Sequence, residues 1–451
     1  MENIRELTVS MLMEILEKDR YCHLVIREVL DKYDYLDGRD KAFMKRLTEG
    51  TLEQKIRLDF VLDFFSKVPV SKMKPFIRNL LRMSVYQLLF MDSVPDRAVC
   101  NEAVKLAGKR GFRNLQGFVN GVLRSVAREK DRISYPKKEE NLPLYLSVTY
   151  SMPLWLVEKF LKEYGEETTE KMLEHFLKAL PVTVRVRESL PPEEKEKLLE
   201  AWKAAGARVE AHPYLPYAYE LTGIEGMQNL TGFAQGLCSI QDVSSMLVCE
   251  AATVKAGDRV IDVCAAPGGK AAHAADKLGG TGFVSARDLT EYKVGLIQHI
   301  IDRMQLENME AVVADASVFR EEDKESADIV LADLPCSGLG IMGKKKDIKY
   351  HASEAGLSDL AVLQREILSV VWQYVKPGGT LIYSTCTVNA AENEENVAWF
   401  LKKYPFELES LSPYLKGEIA EEGKDGMLQL LPGIHKTDGF FIARLKRKND
   451  R

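Results

Sequence analysis

Asp262-Val263-Cys264-Ala265-Ala266-Pro267-Gly268-Gly269-Lys270 closes an apolar run that begins at Val260 and leads into the alanine-rich segment Ala271 to Leu278. A short β-branched run, a turn of small residues and then a helical pattern make a βα unit. Small residues at that turn let backbone amides approach a ligand at the helix N-terminus. Outward from this point the alternation repeats. Gly282 to Ala286, Ala311 to Val313, Ile329 to Leu331 and Thr380 to Tyr383 predict strands, and Glu291 to Met304 and Ser358 to Val375 predict helices. Repeated βα units imply an α/β, doubly wound, Rossmann-like sheet, assigned here to residues 236–451.

Such sheets bind ligands outside the carboxyl ends of their strands. Asp262, Asp288, Asp315 and Asp333 stand at four successive strand ends. Asp288 follows Asp262 by 26 residues, close to the spacing at which a carboxylate holds ribose hydroxyls. Any one of these acids taken singly also serves as a helix cap. Neither G-x-G-x-x-G nor a Walker pattern occurs, which predicts a nucleoside ligand without phosphates. S-adenosylmethionine fits, with an adenosine for the carboxylates and a sulfonium cation suited to an acidic cleft.

Two cysteines complete the set. Asp333-Leu334-Pro335-Cys336-Ser337-Gly338-Leu339-Gly340 follows the fourth strand, and Ser384-Thr385-Cys386-Thr387 follows the strand Thr380 to Tyr383. A buried structural cysteine is the ordinary reading of any one of them, and two at strand ends on the ligand side favour chemistry instead. A free thiol is mostly protonated at neutral pH, so a nucleophile needs cationic neighbours. Lys270 and Lys344 to Lys346 are the candidates.

The rest of the chain reads differently. Residues 1–138 are helical throughout, with Ile77, Leu80, Leu81, Val85, Leu88 and Leu89 at three- and four-residue steps. Tyr135-Pro136-Lys137-Lys138-Glu139-Glu140-Asn141 reads as a linker. A small α+β module is expected over 141–235, with two helices in 153–178, a strand at Val182 to Val186, a helix at 192–205 and a strand near Arg208 to Ala211. The 451 residues carry a net charge of −5 with 46% hydrophobic and 29% charged side chains, ordinary for a multidomain globular protein. No apolar run approaches the roughly 18 residues of a membrane span, and Met1 to Lys18 is no signal peptide. Seven cysteines without a Cys-x-x-Cys pair argue against a disulfide scaffold or zinc ribbon, and no metal is expected. Residues 67–138 hold sixteen Lys and Arg against five acids, whereas residues 151–451 hold 35 bases against 46 acids. A basic end on an acidic chain points to a polyanion partner, with a merely solvated helix face as the alternative.

The strings DVCAAPGGK, DLPCSGLG, DIKY, STCT and ENEENV, in that order, resemble the RNA (cytosine carbon-5) methyltransferases of the Nop2/Sun class. Val94-Pro95, Asn101-Glu102-Ala103-Val104 and Phe118-Val119-Asn120-Gly121-Val122-Leu123-Arg124 resemble the NusB RNA-binding fold. A NusB-like domain joined to such an enzyme is similar to the RsmB (Sun/Fmu) family, which methylates a cytosine of 16S ribosomal RNA, cytosine 967. The resemblance implies three parts: a NusB-like RNA-binding domain (1–138), an RNA-positioning module (141–235) and a catalytic domain (236–451). It implies that Cys264, Ala265, Ala266, Pro267, Gly268, Gly269, Lys270, Asp288, Asp315 and Asp333 bind S-adenosylmethionine, with Asp288 on the ribose and Asp315 near the adenine. It makes Cys386 the nucleophile, places Asp333 at ring nitrogen 3, and gives Cys336 the carbon-5 proton or product release. The implied partner is small-subunit ribosomal RNA, met by a cytoplasmic monomer without DNA or membrane. The same chemistry on transfer RNA or another ribosomal site, and a non-enzymatic assembly factor, are the alternatives.

Three departures from the family pattern stand out: Lys344-Lys345-Lys346 and Tyr350 in place of arginines and a tryptophan, Arg287 before Asp288, and Arg187 where asparagine is common. Glu395-Asn396-Val397 also mimics a motif of DNA cytosine methyltransferases, and 392–397 is read here as a helix start.

Overall fold

The computed structural model describes residues 3–224, 226 and 229–449. They divide into two units, one running to Lys178 with Met342–His351 added, the other Ala179–Ile341 with the chain from Ala352 onward. The first unit is helical. It contains α1 (Ile4–Glu17), α2 (Cys22–Lys32), α3 (Gly38–Glu53), α4 (Lys55–Phe65), α5 (Pro75–Phe90), α6 (Asp96–Lys109), α7 (Gln116–Glu129), α8 (Leu142–Thr149) and α9 (Leu154–Leu177). The apolar stripe of α5 is buried as its spacing requires, at Ile77, Leu80, Leu81, Val85 and Leu88, against Leu12, Leu47, Leu62 and Val119. Each such side chain contributes about 1.5–3 kcal/mol through burial. The two helices expected in 153–178 are the two halves of α9, which bends at Gly165, where φ is +74°.

The expected break at 135–141 does not separate compact units. Tyr135 stacks on Phe60 with ring centroids 5.8 Å apart, α8 packs on α4, and the chain leaves the helical unit only after Lys178. The segment Met342–His351 also belongs here. The carbonyls at the end of a helix lack their full set of intrahelical donors, and this segment donates to two of those in α3. Lys349 Nζ donates to the carbonyls of Glu53 at 2.8 Å and Ser151 at 2.6 Å, and Tyr350 Oη donates to that of Leu52 at 2.7 Å. Lys346 pairs with Glu53.

In the second unit β1 (Val182–Val186), β2 (Arg208–Ala211), β3 (Ala218–Thr222) and β4 (Cys238–Ile240) form an antiparallel sheet in the order β2-β3-β1-β4, with α10 (Pro192–Ala204) beside it. β3 was not expected, although its alternation of Tyr219 and Leu221 with Glu220 and Thr222 suits a half-buried strand. β4 lies beyond residue 235, so the small sheet reaches into the stretch assigned to the catalytic part. After α11 (Val243–Ala252) comes the large sheet: β5 (Arg259–Asp262), α12 (Gly269–Lys277), β6 (Phe283–Asp288), α13 (Glu291–Met304), β7 (Met309–Val313), β8 (Ala327–Asp333), β9 (Val375–Thr385), β10 (Phe406–Leu408), β11 (Met427–Leu430) and β12 (Phe440–Arg447). Its order is β10-β12-β9-β8-β5-β6-β7, with β11 paired to β12. β5 to β9 run parallel and β12 antiparallel to β9. Central strands covered on both faces read as unbroken apolar runs, and Val260, Ile261, Val330, Leu331, Leu381 and Ile382 are fully buried.

Two of the departures have structural explanations. The guanidinium of Arg287 makes a buried two-pronged bond to Asp323, at 2.6 and 2.8 Å. Arg187 Nε donates to Asp276 of α12 at 3.0 Å, and Arg185 Nη1 donates to the same carboxylate at 3.2 Å, so β1 is tied to α12.

Candidate active site

Parallel register brings the predicted acids to one edge of the sheet. Asp262 lies opposite Ala286, Asp288 opposite Val313 and Asp333 opposite Ser384. Asp288 organises the turn beside it: its Oδ2 accepts from the amide of Ala266 at 3.0 Å and its Oδ1 from that of Leu289 at 2.8 Å, and Lys293 Nζ lies 2.9 Å away. The amide of Ala265 donates to the carbonyl of Arg287 at 2.7 Å. The loop Cys264 to Gly268 is thereby pinned to β6. Gly268 has φ +115°, a backbone conformation that residues with a side chain rarely adopt, and it caps the start of α12.

Asp262 is fully buried at the end of β5, and neither carboxylate oxygen has a well-formed hydrogen bond, the Cys264 amide helping only weakly. Burial, with the charge of Asp333 nearby, pushes its carboxyl up to about 7. Asp315 is placed differently. It is exposed beyond β7, and Oδ1 accepts from the amide and Oγ of Ser317, at 2.9 and 2.6 Å, which holds its carboxyl below the usual range. A buried acid with unfilled acceptors, a glycine turn with close backbone passage and Asp288 at the next strand end suit a cationic nucleoside such as S-adenosylmethionine. Leu289, 58% exposed and next to Asp288, offers an apolar face that nothing in the local sequence pattern marked.

The two cysteine loops lie side by side. Cys336 Sγ and Cys386 Sγ are 3.2 Å apart, and the amide of Gly340 donates to the carbonyl of Cys386 at 3.1 Å. Asp333 accepts from Lys270 Nζ at 2.6 Å and from Ser384 Oγ at 2.9 Å. Burial alone would lower the Lys270 ammonium, but Asp333, Asp262 and Cys386 together raise it, so it stays charged beside the thiols. Cys336 is pushed well up by its contact with Cys386 and by burial, and is a thiol at neutral pH. Of the cations expected to assist the cysteines, Lys270 is in place, whereas Lys346 spends its donors within the helical unit, on Glu53 and the carbonyl of Phe176. Cys264 lies in the cofactor turn, where burial and the acids around it raise its thiol.

Sequence reasoning missed the polar layer under these loops. Glu392, Asn393 and Asn396, read as a helix start, do precede or open the helix Glu394–Lys403, but all three are buried, among Gln364, Tyr383 and Gln429. The run of polar residues was the available signal. A second group joins Glu188, Glu250 and His273, whose ligand atoms lie within 4.8 Å of one another. Lys277 Nζ already bridges both carboxylates there, at 2.9 and 2.7 Å.

The basic stretch is also rearranged by folding. Arg82 is buried and bonded to Asp59, Arg78 pairs with Glu17, and Lys109 and Arg110 pair with Glu6. Arg82 and Arg78 are thereby held within the fold, contrary to their expected part in holding RNA, whereas Lys109 and Arg110 keep 65% and 43% of their side chains exposed and remain at the surface. Arg113, with Lys67, Lys72, Lys74, Arg97 and Arg124, is exposed.

Comparison with known proteins gives the same picture. Residues 251–446 match the family 16S rRNA methyltransferase RsmB/F, residues 2–128 the NusB family, and residues 152–225 the RsmF/B-like ferredoxin-like domain. The chain is 37% identical to a probable ribosomal RNA small subunit methyltransferase B of Bacillus subtilis over 99% of both proteins. The chain belongs to the ribosomal RNA small subunit methyltransferase B family. Another member, from Klebsiella pneumoniae, is 29% identical over 99% of both chains. A methyltransferase homolog protein from Pyrococcus horikoshii has a crystal structure that matches 68% of this chain and 99% of its own, at 26% identity and a TM-score of 0.58. Membership makes the protein an S-adenosylmethionine-dependent methyltransferase. Among the described residues no helix is long and apolar enough to cross a membrane.

Proposed function

We propose that the protein methylates carbon 5 of a cytosine in small-subunit ribosomal RNA, cytosine 967 of the 16S chain, through a covalent adduct on Cys386. The observation that carries this reading is the pair of thiols 3.2 Å apart at the ligand edge of the sheet, with the Lys270–Asp333 ion pair beside them. Carbon 5 of cytosine is too poor a nucleophile to take a methyl group unaided. The Cys386 thiolate adds to carbon 6, and the electron pair displaced toward carbon 5 makes that atom nucleophilic. S-adenosylmethionine, when bound, supplies an electrophilic methyl group on a sulfonium. Carbon 5 takes the methyl, its proton leaves to a base, and the carbon 6–sulfur bond breaks to free Cys386. Cys336 serves the last two steps, either taking the proton or assisting release, and Asp333 faces ring nitrogen 3.

The turn Cys264 to Lys270 with Asp288, Asp315 and Asp333 holds the cofactor, Asp288 at the ribose and Asp315 toward the adenine. The base has to leave its stack to reach this edge. Residues 1–138 hold the RNA by charge and 141–235 position it, in a protein acting as a cytoplasmic monomer. The test is RNA carrying 5-fluorocytosine, whose carbon 5 cannot lose its fluorine as a proton would leave. Wild type and Cys336→Ala should trap a covalent complex and Cys386→Ala should not. An adduct lost only in Cys336→Ala would reverse the two roles. Bisulfite sequencing of RNA from a deletion strain should show loss of methylation at cytosine 967, and loss at a transfer RNA or another ribosomal position would move the substrate.

A further inference from the structure

Beneath the two cysteines lies a carboxylate that the chemistry above does not use. Glu392 is fully buried, and among the described residues the groups that hydrogen-bond to its carboxylate are all neutral donors. Its Oε2 accepts from the amide of Ser337 at 2.9 Å and from Gln364 Nε2 at 3.0 Å. Its Oε1 accepts from Ser337 Oγ and, at 2.9 Å, from Asn389 Nδ2. Ser337 follows Cys336, and Asn389 lies three residues after Cys386. One carboxylate thus holds a residue from each cysteine loop. The link is reinforced where Ser337 Oγ lies 2.7 Å from Thr387 Oγ1 and where Gln364 also donates to the carbonyl of Pro335 at 2.9 Å.

A buried carboxylate without a cation is costly, and an amide or an apolar group would fill the same volume at lower cost if only volume were needed. An amide could not do the same work. Four donors converge on two oxygens, and a glutamine would turn one oxygen into a donor facing donors. We infer that Glu392 is a positioning residue that sets the two cysteine loops against each other and so holds Cys386 Sγ and Cys336 Sγ in register for attack and release. Its hydrogen bonds reach the thiols through Ser337 and Asn389, and through Thr387 by way of Ser337 Oγ. This inference rests on the adduct mechanism proposed above for the meaning of that register.

The test uses the full-length protein and Glu392→Gln, nearly identical in shape, with Ser337→Ala as a second variant that removes one of the four bonds. The first readout needs no RNA. Diamide, itself reduced to the hydrazine, converts two adjoining thiols into a disulfide, and its rate reports how often the sulfurs meet. Glu392→Gln should slow formation of the Cys336–Cys386 disulfide about tenfold or more and Ser337→Ala less, while S-adenosylmethionine affinity stays unchanged. An unchanged rate in Glu392→Gln would overturn the inference. The second readout is single-turnover kinetics on RNA. Because both loops shift, Glu392→Gln should slow adduct formation and adduct release together, whereas Cys336→Ala slows release alone. Loss of active protein without change in either rate would show a merely structural part and also overturn it. Slower disulfide formation in a protein whose wild type forms no RNA adduct would leave the positioning intact and refute the adduct mechanism instead.

Discussion

Asp262 provides the sharpest physical test of the cofactor cleft, through Asp262→Asn. In the folded protein its carboxyl is raised from the ordinary 3.8 to about 7. Three pKa units at 1.36 kcal/mol each amount to about 4 kcal/mol. The sign follows from proton counting. Between pH 4 and 7 the unfolded chain has lost this proton and the folded protein keeps it, so stability falls as pH rises through that window and levels off above it. Asparagine has the same outline, stays neutral, and adds a cost that does not vary with pH. Urea unfolding of wild type and Asp262→Asn at intervals from pH 4 to 8.5 isolates the effect. Relative to the variant, wild type should lose up to about 4 kcal/mol across the range, with most of the loss complete by pH 7. Parallel stability curves for the two proteins would refute the reasoning and mean that Asp262 is ionised and satisfied when folded.

Asp288→Ala removes the acceptor for the Ala266 amide of the cofactor turn and for the Leu289 amide as well as the ribose partner, so S-adenosylmethionine affinity should fall about tenfold to a hundredfold, about 1.5–3 kcal/mol; unchanged affinity by calorimetry would remove Asp288 from the site. Lys270→Met strands Asp333 with Ser384 as its remaining donor, and since that carboxylate is still partly exposed the loss of stability should be about 2–3 kcal/mol, below the range for fully buried pairs. The same variant should slow adduct formation on Cys386, and a wild-type adduct rate would show that the thiol needs no help from this cation. Replacing Lys72, Lys74 and Arg113 by alanine should weaken RNA binding and flatten the slope of log affinity against log salt by about 0.7–0.9 for each phosphate that is no longer neutralised, with cofactor affinity unchanged. An unaltered salt slope would place the RNA on another face. Charge substitutions serve better here than a truncation starting at residue 141, which would strip α8 of α4, the helix it packs on.

The sequence by itself determined what depends on local order. β-branched runs followed by small residues and amphipathic helices are properties of neighbouring residues, so β5 to β9, α12, α13 and the strand-end positions of Asp262, Asp288, Asp333 and the two cysteines were legible in the order of residues alone. Asp315 was legible in position only, since whether its carboxylate points to a ligand or caps Ser317 depends on a turn. Tertiary structure decided everything set by contacts distant along the chain. Arg82 looks like an RNA contact in a basic stretch until Asp59 meets it and the fold buries it. Lys346 and Lys349 follow Cys336 by ten and thirteen residues, yet the carbonyls of Glu53 and Ser151 claim Lys349, and the Glu53 carboxylate claims Lys346. The polar run at 392–396 shows no periodicity that separates a solvated helix start from a buried clamp, because that difference lies in Ser337, Gln364 and Gln429. A charge pattern records which groups are available, and only folding determines which of them are neutralised inside and which are left for a ligand.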